Sequence, residues 1–515
     1  MYTARSPEDT MATFTSTSLR GKLILIATVL ASAMAFLDGT VVNIAIPVIQ
    51  AYFSTTISGI QWVINSYVLL LAALILISGS LGDRFGRKKI FVYGIALFII
   101  ASFLCGFSRS INALIFFRGL QGIGAAMMIP GSLSIINTAF PENERGKTIG
   151  LWSGFAGGVA ALGPFLGGWL VQTFGWASIF FINIPIGLLA LIITLRFVPE
   201  SKNETTKELD IVGTLTLFLG LLGIAYALIE APLRGLTDTI IMTSFLAGVI
   251  LLSTFIIQEK RSAAGLIPAK IFSSQMVIGA NLATLFLYFA LNGVIFFFIL
   301  NLQQLQHFSP LLAGISMLPS ILLITFFSGF GGSLGDKIGA RLPMIVGPLL
   351  VSIGMFSFLF GGTQANYFVS YLPGLVLFGI GMALTIAPLT KSAMTVEQKY
   401  SGAASGVNNA VARVAALLAI ALLGAVMAFV FSQKLTMALN YTKALSAVEK
   451  QMILVQKNKI GEIQIPSQFT TEQRMITRKA IDDAFLDSFR IVISIGASLA
   501  LLSACISYFT IRNKA

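Results

Sequence analysis

Charge is what this 515-residue sequence has least of: 11% of its residues are charged, while 56% are hydrophobic. Soluble domains carry about 25% charged residues, so the balance excludes that class and predicts a protein of many membrane spans. Cysteine is nearly absent. The two present, Cys105 and Cys505, lie in or beside apolar runs, which excludes a disulfide framework and a thiolate metal centre. The one histidine, His307, precedes an apolar run and reads as a loop residue. With so few ligating side chains at depth, neither a metal site nor an intramembrane enzyme is expected. No Gly-rich loop ending in Lys-Ser or Lys-Thr occurs, which removes ATP as an energy source, and no cofactor is expected.

Apolar runs fill the chain instead. A helix needs about 20 apolar residues to cross a bilayer, and fourteen such spans can be placed. An even number of spans puts both ends on one side. Placing them in the cytoplasm puts most of the 34 Lys and Arg in tails and loops on that side, leaving Arg109 and Arg234 in the short outer loops. The positive-inside rule then predicts cytoplasmic termini. The formal charge of +13 is thus a topology signal, and nucleic acid is not an expected partner. The first span follows the polar start directly, so that start does not read as a cleavable signal peptide.

The pentapeptide Gly79-Ser80-Leu81-Gly82-Asp83 recurs 253 positions later as Gly332-Ser333-Leu334-Gly335-Asp336, each copy closing an apolar run and opening a basic loop. A repeat of this kind marks a duplicated unit. The copies follow spans 2 and 10. The fold class expected is therefore an all-α integral membrane protein with fourteen transmembrane helices, in two pseudo-symmetric six-helix halves plus two inserted helices. Residues 1–198 form the first half. Residues 199–274 hold a linker, with Glu200, Glu204, Lys207 and Glu208 solvated, and inserted spans 7 and 8. Residues 275–515 form the second half. Within it, residues 432–487 form a long outer loop, where Ile476, Ala480, Ile481, Ala484 and Phe485 have the spacing of an amphipathic helix leading into span 14.

Asp38 is the one acid of 21 that falls well inside a span. A carboxylate at that depth is costly and is a functional candidate by default, here for taking up and releasing a proton. Arg118 lies in span 4, which runs the opposite way. At about 1.5 Å per residue, Asp38 is about 12 Å and Arg118 about 10 Å from the outer ends of their helices, so the two can meet. Gln121, three residues on, shares the Arg118 face. Gln61, Asn65 and Tyr67 are expected to join them around a substrate cavity. Arg413 in span 13 is a third buried charge with no acid at its depth, and its role is left open between structure and function.

The stretch Gly79 to Lys89 is similar to the G-x-L-x-D-R-x-G-R-K-x loop of the major facilitator superfamily, with Gly79, Leu81, Asp83, Arg84, Gly86, Arg87 and Lys88 in place. That likeness implies a cytoplasmic latch formed by Gly79, Asp83, Arg84, Gly86 and Arg87. A weaker copy would lie at Asp336. Gly158, Gly163, Pro164, Gly167 and Gly168 include the G-P-x-x-G-G pattern of the antiporter branches, and Pro164 should bend span 5 near the interface between halves. Leu37 to Pro47 resembles the span 1 motif of the fourteen-helix drug:proton antiporters of the QacA/EmrB type. Gln61-Trp62 and Asn183 to Gly187 fit the same family. Two departures are Ala177, where the family has Arg, and the lack of an extra acid in span 10.

The resemblance implies a proton-coupled exporter of lipophilic or cationic drugs, working by alternating access in the plasma (inner) membrane. Its partners would be protons, a small-molecule substrate and the lipid bilayer, with the proton gradient as energy source. The alternative is a dedicated exporter of a specific metabolite or siderophore. Any periplasmic partner is left open.

Overall fold

A computed structural model describes residues 14–202, 209–261, 270–271, 274–396 and 400–511. The charged residues Glu204, Lys207 and Glu208 of the linker lie outside the described residues, as do most of the loop after span 8 and the tail 512–515. Among the described residues every regular element is helical.

The first half comprises α1 (Leu19–Phe53), α2 (Ile57–Phe85), α3 (Arg87–Gly106), α4 (Ile111–Ala139), α5 (Glu142–Ala161), α6 (Gly163–Phe174), α7 (Ser178–Phe181) and α8 (Asn183–Phe197). Next come α9 (Ile211–Arg234) and α10 (Thr239–Arg261). The second half comprises α11 (Gln275–Leu300), α12 (Pro310–Ile338), α13 (Arg341–Ser357), α14 (Tyr367–Ser370), α15 (Leu372–Ala393), α16 (Ser401–Tyr441), α17 (Ala447–Leu454) and α18 (Thr471–Thr510). Among the described residues thirteen helices are long and apolar enough to cross a membrane, and the bent pair α5 and α6, taken as one span, makes a fourteenth. Ser18, Thr56, Ser110 and Ser309 start their helices by accepting a backbone N–H from the first turn, which satisfies donors that no helix can satisfy internally.

The two halves repeat one packing scheme. In the first, α4 packs on α2 and α3, and α1 packs on α5 and α8; in the second, α15 packs on α12 and α13, and α11 packs on α16 and α18. The pair α9 and α10 stands outside this scheme. Helix α9 lies against α2 of one half and α16 of the other, and α10 packs on α9. The inserted pair therefore covers one seam between the halves.

Span 5 is broken by 41° between α5 and α6. Pro164 has no N–H to give the Ala160 carbonyl one turn back. Thr40 Oγ1 on α1 donates to that carbonyl at 3.1 Å instead. Burial within protein is what permits such a break at membrane depth.

Helices α16 and α18 run on beyond one face of the membrane and, with α17, build residues 432–487 into a cap. Ala480, Ile481, Ala484 and Phe485 turn inward and are buried, and Ile476 is half-buried. We call this the capped face, and the opposite one, carrying the loop 83–89, the basic face.

Candidate functional site

Asp38 on α1 lies in a closed polar cluster inside the first half. Its side chain and that of Arg118 on α4 are at most 1% exposed. Arg118 Nη1 donates to Asp38 Oδ2 and, at 2.7 Å, to Gln121 Oε1. Its Nε donates to the Val63 carbonyl on α2 at 3.1 Å. The second carboxylate oxygen accepts from Gln121 Nε2 at 3.2 Å and from Asn183 Nδ2 on α8 at 3.1 Å. Ser102 on α3 accepts from the same two amides, at 2.6 and 3.4 Å. The Tyr67 ring lies 4.3 Å beneath the guanidinium, and its hydroxyl donates to the Ala35 carbonyl. Five helices thus converge on one ion pair. Breaking such a pair is expensive because it leaves a buried charge unmatched.

The cavity lies elsewhere. A space of about 570 Å³ opens between the halves, walled by α1, α5 and the start of α6 on one side and by α11, α12 and α15 on the other. Its polar lining comes from Thr40, Asn43, Ser153, Asn292, Ser320 and Thr325 among others, and among the described residues no acidic or basic side chain lines it. This corrects the expectation that Asp38, Arg118, Gln121, Gln61, Asn65 and Tyr67 line the substrate cavity. Gly39 and Thr40, next to Asp38 in sequence, do line it. The acid itself faces α3, α4 and α8, because only that side supplies donors for its charge. Gln61 Nε2 donates to the Ile420 carbonyl on α16 and ties the halves together. Asn65 is fully buried, and its side-chain amide has no hydrogen-bond partner among the described residues.

The halves meet tightly toward the capped face. A Cβ on Gly168 would stand 2.5 Å from the Pro310 carbonyl, and one on Gly314 would stand 2.2 Å from the Pro164 carbonyl. Gly163 and Gly167 likewise let α6 approach Thr40 and Val41 of α1. Gly158 has open space and lines the cavity. Gln303 Nε2 donates to the Ile44 carbonyl and Gln304 Nε2 to Gln50 Oε1. Gln50 Nε2 in turn reaches the Lys459 carbonyl of the cap. Burial pushes the Glu462 carboxyl of the cap up from its ordinary value, against the pull of Arg478.

On the basic face the repeated loops bond within their own halves. Arg87 Nε donates to Asp83 Oδ1 at 2.8 Å, and Lys391 pairs with Asp336. Glu200 is exposed, as expected of the linker, yet it also caps a helix. Its carboxylate accepts the backbone N–H groups of Lys88 and Lys89 at 3.0 and 3.1 Å, capping α3 where the helix dipole favours an anion. Gly86 at φ +110° makes the turn that presents them, and a Cβ there would meet the Glu200 carboxyl at 2.8 Å. Gly79 has open space around it, and the Arg84 guanidinium lies 5.6 Å from the Phe85 ring.

Ser102 and Asn183 complete the cluster and were not expected at the acid. The fragment around Asn183 signals its family, but nothing in it says which side of α8 faces Asp38.

Two repeated helical halves with a central cavity between them and a buried ion pair beside it are the frame of a membrane transporter. The profile of the Major Facilitator Superfamily matches residues 28–420, and the chain belongs to that family. It is 35% identical to the Multidrug resistance protein Stp of Mycobacterium tuberculosis, over 79% of this chain and 76% of that one. It is 28% identical to the Tetracenomycin C resistance and export protein of Streptomyces glaucescens, over 96% and 93%. Among solved structures, a bacterial homolog of the human lysosomal transporter Spinster matches with a TM-score of 0.66 at 17% identity, covering 97% of this chain and all of that one; the likeness is one of fold.

Proposed function

We propose that the protein exports lipophilic small molecules, drugs among them, in exchange for protons by alternating access. The observation that carries this reading is the Asp38–Arg118 pair: the one deep carboxylate is held by a cation and two amides, one residue from the cavity wall. A proton on Asp38 would cancel its attraction for Arg118 and weaken the bonds from Gln121 and Asn183. The release is felt at Thr40, two residues on, which holds the break in span 5 through the Ala160 carbonyl. Charge on Asp38 is thereby linked to the helix whose glycines close the capped face. A membrane potential supplies about 2.3 kcal/mol per charge per 100 mV to such a cycle.

In this reading the basic face is cytoplasmic, with both termini there and the cap outside the plasma membrane. On that orientation the close contacts of Gly168 and Gly314 would shut the outer side. When the cytoplasmic side closes, Asp83 would exchange Arg87 for partners in the other half, and the loop would then act as a latch. The test is everted-vesicle transport of a drug panel that includes tetracenomycin C, the compound named for a relative. Asp38→Asn should abolish proton-driven accumulation, and accumulation at the wild-type rate would overturn the mechanism.

A second reading, export of one dedicated metabolite, is favoured by the relative named for resistance to and export of a single compound. Drug susceptibility of a deletion strain, set beside metabolomics of its medium, separates the two.

A further inference from the structure

The cavity between the halves has two unlike walls. On the first-half side Gly39 of α1 and Gly154, Gly157 and Gly158 of α5 line it, and a Cβ at any of these four would meet nothing within 4 Å. Bare backbone therefore forms that wall over more than one turn of α5. On the other side Leu291, Ile295 and Ile299 of α11 follow one another at helical spacing and put branched side chains on one face. The space of about 570 Å³ is a slot with one smooth side.

The polar groups of the lining share a bias. A hydroxyl has one proton to give and two lone pairs to offer. Thr40 gives its proton to the Ala160 carbonyl, Ser153 to that of Gly150, Ser320 to that of Met317 and Thr325 to that of Ile321; Ser328 is the exception among the lining hydroxyls. The two asparagines spend donors in the same way. Asn43 Nδ2 on α1 donates to the Gly39 carbonyl at 3.4 Å, and Asn292 Nδ2 on α11 donates to the Tyr288 carbonyl at 2.7 Å. Among the described residues neither Oδ1 atom accepts a hydrogen bond. Each amide keeps one N–H, against the lone pairs of its own oxygen and of the hydroxyls around it. Acceptors therefore outnumber donors, and each half contributes one open amide carbonyl.

We propose that the cavity is a slot for flat, uncharged ring systems that carry hydroxyl or N–H donors, phenols above all, and that Asn43 and Asn292 select for those donors. The proposal rests on the export reading and narrows its substrate. A rigid planar molecule lies against bare backbone in unbroken contact, whereas a bulky one holds its atoms off that wall and forfeits dispersion. A phenolic O–H that reaches Asn43 or Asn292 finds a carbonyl oxygen with no other donor. An ether in the same place leaves that oxygen unmatched once water is displaced. A cation could also donate, but it would leave water without a carboxylate to balance it among the described lining residues.

Four probes test this: hydroxypyrene, its methyl ether methoxypyrene, the cation pyrenemethylammonium, and the propeller-shaped tritylphenol as a non-fluorescent competitor. Binding to the purified full-length protein in nanodiscs is read by fluorescence anisotropy without any gradient, with the signal of empty nanodiscs subtracted. The wild type should bind hydroxypyrene about fivefold to tenfold more tightly than methoxypyrene, as one net hydrogen bond gives. It should bind the ammonium and tritylphenol more weakly still, by at least about tenfold against hydroxypyrene. Asn43→Leu combined with Asn292→Leu should bring hydroxypyrene down to methoxypyrene, while methoxypyrene itself shifts by less than about threefold, which checks that the cavity is intact. If the double variant loses both probes, the single variants replace it, and at least one should narrow the gap. Gly157→Leu fills the smooth wall and should cost hydroxypyrene at least about tenfold, with Gly154→Leu as the second variant should the first misfold. The proposal is overturned if the wild type binds the ether or the ammonium as tightly as the phenol, if tritylphenol competes as well as hydroxypyrene, or if the phenol preference survives the asparagine substitutions. Ranked binding without proton-driven vesicle transport would support the slot and count against the export reading alone. Proton-driven transport without the ranking would count against the slot alone.

Discussion

At Asp38 the protein accepts a buried charge and surrounds it with Arg118, Gln121 and Asn183. Removing the cation alone should be severe. Arg118→Gln leaves the carboxylate unmatched, a loss of about 3–5 kcal/mol for a buried pair, read as a lowered melting temperature in detergent. The double variant Asp38→Asn with Arg118→Gln should recover much of that loss, because no charge remains to be compensated; equal melting of single and double variants would show that the pair is not coupled. The pairing was legible in the sequence because helix direction and rise fix depth. Ser102 and Asn183 were not, since rotation about a helix axis is set by packing that a single sequence does not display. The same gap misplaced Gln61 and Asn65, whose depth was readable but whose facing was not, while Tyr67 does join the pair through its ring.

Among the elements, span 5 is the hinge to examine. Pro164 announced a bend from the sequence, and the glycines announced close packing. Which neighbours they serve, α1 for Gly163 and Gly167 and α12 for Gly168, became visible only in three dimensions. Gly314→Val places new atoms against the Pro164 backbone, where overpacking costs about 1–3 kcal/mol. Transport should fall at least about tenfold while the protein still inserts. At the other face, Gly86→Ala meets both an unfavourable φ and the Glu200 carboxyl, and should lower the melting temperature more than Glu200→Gln does. The Glu200 cap was missed because a carboxylate in a polar stretch between helices carries no sequence mark of the helix end it serves.

At the scale of the whole molecule, the repeat located both halves and set the inserted pair apart, because spacing survives where side-chain detail does not. The position of that pair over a seam between α2 and α16 depends on tertiary packing alone. The cap joins the halves through Gln50, Gln304 and Lys459, and its docking should respond to pH. Glu462 holds its proton more tightly when folded than when unfolded. Its contribution therefore falls as pH rises above the ordinary glutamate value of about 4.3. Glu462→Gln should raise the melting temperature at pH 7.5 and match the wild type near pH 4; no difference at either pH would contradict the buried carboxyl.

Proton exchange itself is the most direct test. In everted vesicles with an acid interior, adding a transported drug should draw protons out, seen as dequenching of a pH-sensitive dye, in the wild type and not in Asp38→Asn. Proton movement of equal size in Asp38→Asn, or wild-type export indifferent to the gradient, would contradict the account.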